Sequence, residues 1–351
     1  MSRLLPDYPH RVAGHCGSGA LRDLLEWNNL GWGGPPDEGL IFGLGGDLGF
    51  SYLRVPGLSP PIYLVGRGSE MELVLLRRLG ATVQVRRTDD PELGWDWVKG
   101  ELDDGRPVMV WADIGDLPYL RVRLRMSRHD IVIIGYDDQA EVAYVADNDR
   151  DGVQKVPYEA LARARSSTAF PEPTRHATFL VDWPRTLPDL TSLAADAFAA
   201  SARSLRDGGA NLVEPAKLAP GSVAGTGLAG IRVFAEDAEQ WPDVLEEAEL
   251  TRALLALPAL VEKAGTGGGL FRRLQASCCT QIADCTSSTR TAAAAKAVEH
   301  SADMWSAIAR IAATDQRAAE QARGVARLAR LLIELEDAAA SALAAAAEDL
   351  G

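Results

Sequence analysis

His15-Cys-Gly-Ser-Gly-Ala-Leu-Arg-Asp-Leu-Leu-Glu-Trp27 is the stretch from which the fold is read. Ala20, Leu21, Leu24, Leu25 and Trp27 recur about three or four apart, the spacing of one helix face, so a helix opens at Cys16. A thiol there faces unpaired backbone N–H groups and the positive end of the helix dipole, both of which stabilise a thiolate. Gly17 and Gly19 let the backbone come close to a substrate carbonyl, and the Cys16 N–H can donate to a developing oxyanion. Cys16 is therefore the candidate nucleophile.

A partner is sought further along the chain. Residues 130–136, Asp-Ile-Val-Ile-Ile-Gly-Tyr, form a β-branched run too continuous for a half-exposed strand, and residues 107–112 read the same way, so both are expected to be central. Residues 141–147 follow after the turn Asp137-Asp-Gln139, giving an antiparallel hairpin that carries His129 and Asp147 at neighbouring ends. His129 is the expected general base and Asp147 the residue that orients it, with Asn148 and Asp149 as alternatives for the second role. His15 is expected to point away from Cys16 and to be structural or to line the substrate.

Residues 39–47 read as a glycine-rich turn before strands at 50–55 and 62–65. The turn lacks the Lys and Ser/Thr of a phosphate loop and precedes a strand, so it is expected to shape a pocket wall instead of binding a cofactor. Glu38 and Asp47 are candidates to contact an amine, and Gly17 and Gly45 join His15 in the expected substrate-binding set. A helix over about 69–79 is expected next, with Ser69 and Glu72 in capping-box spacing.

After a strand-like run at 176–181, prolines at 184 and 188 interrupt the chain and the composition turns Ala-rich with Leu, Arg and Glu. That shift predicts two domains, 1–185 and 186–351. The second is expected to be all-α, with helices near 190–206, 237–257, 268–290, 291–313 and 315–346, and a loop at 214–226.

Formal net charge is −13, which argues against general nucleic-acid binding, since phosphate contacts need clustered Lys and Arg. No stretch has the apolar length of a signal peptide or a membrane span, so a cytoplasmic protein is expected. Of four cysteines, Cys278, Cys279 and Cys285 lack paired C-x-x-C spacing and have only His300 near them. They read as packing residues, with neither disulfides nor a metal site expected.

The segments 15–25 and Glu38-Gly-Leu-Ile-Phe-Gly-Leu-Gly-Gly46, with His129-Asp-Ile-Val-Ile-Ile-Gly-Tyr-Asp137 and Val156-Pro-Tyr-Glu-Ala-Leu-Ala-Arg-Ala164, resemble butirosin-biosynthesis-H-like proteins. Gly265-Thr-Gly-Gly-Gly-Leu-Phe-Arg-Arg273 looks like that family's helical half. The resemblance implies an α+β fold: a papain-like cysteine domain, its catalytic helix packed on an antiparallel sheet, followed by an all-α domain. It implies acyl transfer from a phosphopantetheine thioester on an acyl- or peptidyl-carrier protein, through Cys16, to the amine of a small natural-product intermediate, with no bound cofactor. In papain-like and bacteriocin-leader-peptidase-type enzymes a Gln six residues before the nucleophile commonly completes the oxyanion hole. Here that position is His10, whose ring N–H is expected to take the place of the amide and hold the oxyanion with the Cys16 N–H.

Docking an acidic carrier would need a basic patch, for which Arg121, Arg123, Arg125 and Arg128, or Arg272 and Arg273, are candidates. Thioester or peptide hydrolysis, cyclisation, and non-catalytic binding are the alternatives to transfer. A homodimer is also allowed.

Overall fold

The computed structural model describes residues 1–68, 70–122, 124–209 and 218–351. In chain order it contains β1 (Ser2–Leu4), α1 (Cys16–Trp27), α2 (Glu38–Gly45), β2 (Leu48–Arg54), β3 (Ile62–Arg67), α3 (Met71–Arg78), β4 (Thr82–Arg86), α4 (Pro91–Asp103) and β5 (Val108–Ala112). There follow β6 (His129–Asp137), β7 (Val142–Ala146), β8 (Gln154–Pro157), α5 (Tyr158–Arg165), β9 (Thr178–Asp182), α6 (Leu190–Asp207) and β10 (Val223–Thr226). Five helices complete it: α7 (Gly227–Val244), α8 (Glu247–Pro258), α9 (Arg272–Thr286), α10 (Thr289–Ala312) and α11 (Ala318–Leu350). The chain divides into two compact units, one of Met1–Glu38 with Leu76–Leu187, the other of Gly39–Leu75 with Pro188–Gly351.

The first unit is built on an antiparallel sheet in the order β4-β9-β5-β6-β7-β8, with β1 also pairing β6. Strand β6 is central, as its composition predicts. Its first residues pair with β5 (Ala112↔His129), and its last residues pair with β1 and with β7 (Tyr136↔Ala143). Both faces are covered, so Ile131, Val132, Ile133 and Ile134 are all buried. One face packs with Val98 and Leu102 of α4 and Leu161 of α5. Helix α1 packs on β6 and buries Ala20, Leu21, Leu24 and Leu25. Burying a Leu side chain contributes about 2 kcal/mol by area, so this seam fixes the position of Cys16 over the start of β6.

The second unit combines helices α6–α11 with a three-stranded antiparallel sheet, β10-β2-β3. Here the structure corrects several expectations. Residues 39–75 cluster with the helical unit and not with the first 185 residues, because β2 pairs with both β3 and β10. The expected loop at 214–226 ends in strand β10, so this unit is not purely α-helical; residues 214–217 lie outside the described ones. Ser69 of the expected capping box also lies outside them. The expected helix 237–257 is two helices that break at Leu245 and Glu246, where Glu246 and Glu249 form a capping box.

Residues 39–45, expected as a turn, form most of α2. Its glycines serve packing: a Cβ added at Gly43 would stand 2.3 Å from the Cβ of Cys278 on α9, and one at Gly39 would stand 2.5 Å from Ser277 Oγ. Small residues were read as turn signals where they are contact surfaces. Cys278 and Cys279 are buried as expected, and burial pushes the Cys278 thiol well above, and the Cys279 thiol up to about 12.

Candidate active site

Helix α1 starts at Cys16 with His15 as its N-cap, in extended backbone (φ −137°, ψ 130°). The Ser18 N–H donates to His15 Nδ1 at 3.1 Å, so the buried imidazole turns back onto the helix and away from the thiol. Glu38 holds the same turn from outside. Its carboxylate accepts from the backbone N–H of Gly14 at 2.9 Å, the N–H of His15 at 2.7 Å and the Ser18 hydroxyl at 3.2 Å. Glu38 was expected to meet an amine; instead its oxygens are committed to the loop that presents Cys16. The Cys16 and Gly17 N–H groups have no intramolecular acceptor among the described residues, so both open toward whatever lies at the sulfur.

The hairpin delivers the other two groups. With Val132 opposite Ala146, the residue after β7 lies beside the start of β6. His129 Nε2 meets Asp147 Oδ2 at 2.8 Å, and Cys16 is close enough to the imidazole to help raise its pKa. The Tyr119 hydroxyl also donates to Asp147 Oδ2, at 2.6 Å, and the Asp149 N–H donates to Oδ1 at 3.0 Å. Asp147 is thus fully buried and satisfied on both oxygens.

The electrostatics follow from those contacts. Burial alone would lower the His129 pKa, but the Asp147 carboxylate and Cys16 outweigh it and hold the value well above that of an ordinary histidine. Burial would raise Asp147, yet the charge and hydrogen bond of His129, with Tyr119 and the Asp149 N–H, bring it to about 2. Burial and the Asp147 charge keep the Tyr119 hydroxyl protonated. The arrangement favours an imidazolium beside sulfur.

The alternatives for the orienting role resolve on geometry. Asn148 Nδ2 donates to Arg11 O at 2.8 Å and to Asp23 Oδ2 at 2.8 Å, a buried tie between the loop before α1 and the end of the hairpin. Gly19 makes room for it, because a Cβ there would stand 2.7 Å from Asn148 Cγ. Asp149 contributes through its backbone N–H alone.

His10 belongs to the same tie. Its Nε2 donates to Arg150 O at 2.7 Å, and Nδ1 lies 3.6 Å from Asp23 Oδ2. Burial opposes its protonation, but the nearby Asp23 carboxylate and the hydrogen bond to the Arg150 carbonyl raise its pKa. Nε2 is thus committed to the Arg150 carbonyl and Nδ1 faces Asp23, which speaks against the oxyanion role that the family resemblance implies for His10. The backbone N–H groups of Cys16 and Gly17 are the donors left at the start of α1.

Gly45 and Asp47 belong to the second unit. A Cβ at Gly45 would stand 2.8 Å from Met71 Cγ, and Asp47 packs against Gly68, whose N–H donates to Asp47 O at 2.9 Å. Close packing accounts for the glycine.

Four arginines of the two basic patches are paired with acids, while Arg121 is exposed. Arg125 pairs with Asp113 and Asp116, while Arg128 pairs with Glu172 and stacks on Trp111. Arg272 is fully buried against Glu336, and Arg273 bridges Glu299 and Asp303. Arg123 lies outside the described residues. No three His, Cys, Asp or Glu side chains cluster as a metal site, and no helix is long and apolar enough to cross a membrane, among the described residues.

Sequence reasoning missed Tyr119 and Asp130 and gave Glu38 another role. Tyr119 sits in an irregular loop with no pattern to mark it, and Glu38 carries its clamp through backbone partners more than twenty residues away. Asp130 was read only as the first residue of a strand, but its Oδ2 lies 3.7 Å from Cys16 Sγ.

A cysteine at a helix start, facing a histidine and an aspartate on neighbouring strands of an antiparallel sheet, defines a papain-like α+β class of protein. The profile described as butirosin biosynthesis protein H, N-terminal, matches residues 15–148, and that of a domain of unknown function (DUF4872) matches residues 159–343. The chain belongs to the butirosin-biosynthesis-H-like family. That membership suggests a biosynthetic enzyme related to antibiotic formation. No curated protein matches the chain.

Proposed function

We propose that the protein is a cysteine acyltransferase, which takes an acyl or aminoacyl group from a carrier-protein phosphopantetheine thioester and passes it through Cys16 to the amine of a small molecule. The observation that carries this reading is the Cys16–His129–Asp147 line, with a 2.8 Å His129–Asp147 contact and an imidazole whose raised pKa owes part of its shift to Cys16. The family of the chain supports biosynthesis over peptide breakdown.

In the first half-reaction the Cys16 thiolate attacks the thioester carbonyl, and the oxyanion forms against the Cys16 and Gly17 N–H groups. The carbon–sulfur bond to pantetheine breaks, and imidazolium His129 gives its proton to the departing thiolate. In the second half an amine attacks the Cys16 thioester, neutral His129 takes a proton from its nitrogen, and Cys16 leaves as thiolate beside imidazolium. Asp147 steadies the ring in both halves.

The test is intact mass of the protein after exposure to an acyl-pantetheine thioester, with and without an amine. Transfer requires an adduct on Cys16, absent in Cys16→Ala, that amine converts to amide faster than water removes it. An adduct lost equally fast without amine identifies a thioesterase, and no adduct in the wild-type protein rejects the covalent route.

A further inference from the structure

From Ala13 to Gly19 each backbone N–H can be followed to its acceptor. The Ala13 N–H goes to Asn148 O at 2.9 Å, the Ser18 N–H to His15 Nδ1 at 3.1 Å and the Gly19 N–H to His15 O at 3.0 Å. The N–H groups of Gly14 and His15 go to the two oxygens of Glu38, at 2.9 and 2.7 Å. In this run only the N–H groups of Cys16 and Gly17 have no acceptor among the described residues.

Glu38 stands on both sides of that gap. One carboxylate takes the two peptide groups before Cys16, and its Oε1 also accepts from the Ser18 hydroxyl, two residues after Cys16, at 3.2 Å. Hydrogen bonds from backbone N–H to a carboxylate are charge-assisted and short, so they fix the peptide planes they hold. A helix leaves its first N–H groups unpaired, but nothing in the helix itself fixes the chain that leads into it. Here Glu38 supplies that constraint, and the two open N–H groups are carried on the peptides it brackets.

We propose that Glu38 is a positioning residue for acyl transfer: by holding residues 14, 15 and 18 it aims the Cys16 and Gly17 N–H groups at the oxygen of the thioester carbonyl. This rests on the acyltransfer reading above. As Cys16 Sγ bonds to the acyl carbon, the carbonyl π pair moves onto oxygen, and the charge gathers against those two N–H groups. The pair returns when the carbon–sulfur bond to pantetheine breaks. Glu38 exchanges no proton and touches no substrate, so its effect is confined to reactions that pass through an oxyanion.

Two reactions of the same sulfur separate this role from general support. Acylation by an acyl-pantetheine thioester forms an oxyanion, whereas alkylation by iodoacetamide displaces iodide and forms none. Both consume the thiolate, so the ratio of their rate constants cancels any change in its amount. Glu38→Gln replaces one accepting oxygen with a donor. The ratio of acylation to alkylation should then fall about tenfold to a hundredfold, with the loss in the maximal acylation rate and not in the thioester concentration that half-saturates it. A ratio within about twofold of the wild-type value, or a loss confined to half-saturation, overturns the assignment. Should Glu38→Gln fail to fold, Glu38→Asp, which keeps the charge but is one methylene shorter, decides by the same ratio. A wild-type protein that is alkylated at Cys16 but takes up no acyl group instead sinks the acyltransfer reading, and this inference with it.

Discussion

Each unit contains a buried charge cluster, and the two are finished differently. In the second unit Arg272 and Glu336 are both fully buried, with Arg272 Nε donating to Glu336 Oε1 at 2.8 Å. Three more guanidinium N–H bonds go to the carbonyls of Leu270 at 2.8 Å, Gly49 at 2.9 Å and Gly66 at 3.2 Å, while Ser301 and Trp305 each donate to the same Glu336 oxygen at 2.7 Å. In the first unit Asp147 is as completely enclosed, but the His129 side chain is 13% exposed and the line ends on the partly exposed Cys16. A closed cluster ties elements together; an open one conducts its charge to an atom that can react. The difference teaches that burial of a charge does not mark function, whereas an exposed nucleophile at the end of the buried line does.

The contrast is broken most sharply by Cys16→Ala, which should lower acyl transfer by about a millionfold, as when a nucleophile is deleted from a cooperating triad. Its melting temperature should move by less than about 3 °C, since a partly exposed thiol carries little packing. A large fall in melting temperature would make Cys16 structural.

Asp147→Asn should come next, with a loss of about ten-thousandfold in transfer. Because the Asp147 carboxylate is what raises the His129 pKa against burial, the alkaline limb of the acylation rate should move to lower pH in this variant. Asp147 itself is lowered from 3.8 to about 2, so its contribution to stability is present above about 4 and is lost as pH falls toward about 2. Acid unfolding of Asp147→Asn should lack that step.

Glu336→Ala should reverse the pattern. Removing one partner of a buried pair costs about 3–5 kcal/mol, read as a lower denaturant midpoint, while the rate of Cys16 alkylation by iodoacetamide below the transition stays at the wild-type value. Changed alkylation would show that the closed cluster also serves the site.

The smallest effect expected is that of Tyr119→Phe. Loss of one hydrogen bond to Asp147 should lower transfer about fivefold to tenfold, and stability by about 1 kcal/mol, measured by steady-state rate and urea unfolding.

What could be read in advance follows a physical divide. The α1 face, the β-branched run of β6 and the turn into β7 are local patterns, so the order Cys16, His129, Asp147 was available from periodicity and a hairpin register. His10 shows where that reasoning stops. Its distance from Cys16 matched an oxyanion donor, but its partners are Asp23 and a carbonyl at Arg150, a hundred and forty residues away in sequence. The glycines of residues 39–45 were misread for the same reason, because what they accommodate is α9.

By itself the sequence determined the place of Cys16 at a helix start, the histidine and aspartate at adjoining strand ends, and a helical second half, all set by short-range spacing. Tertiary structure alone decided that residues 39–75 join that helical half, that Glu38 clamps the turn before Cys16, that His10 is spoken for, and that Asp130 stands at the sulfur. Periodicity encodes which face a side chain takes. Only packing decides which distant backbone or carboxylate it meets there, and in this protein those meetings shape the chemistry at Cys16.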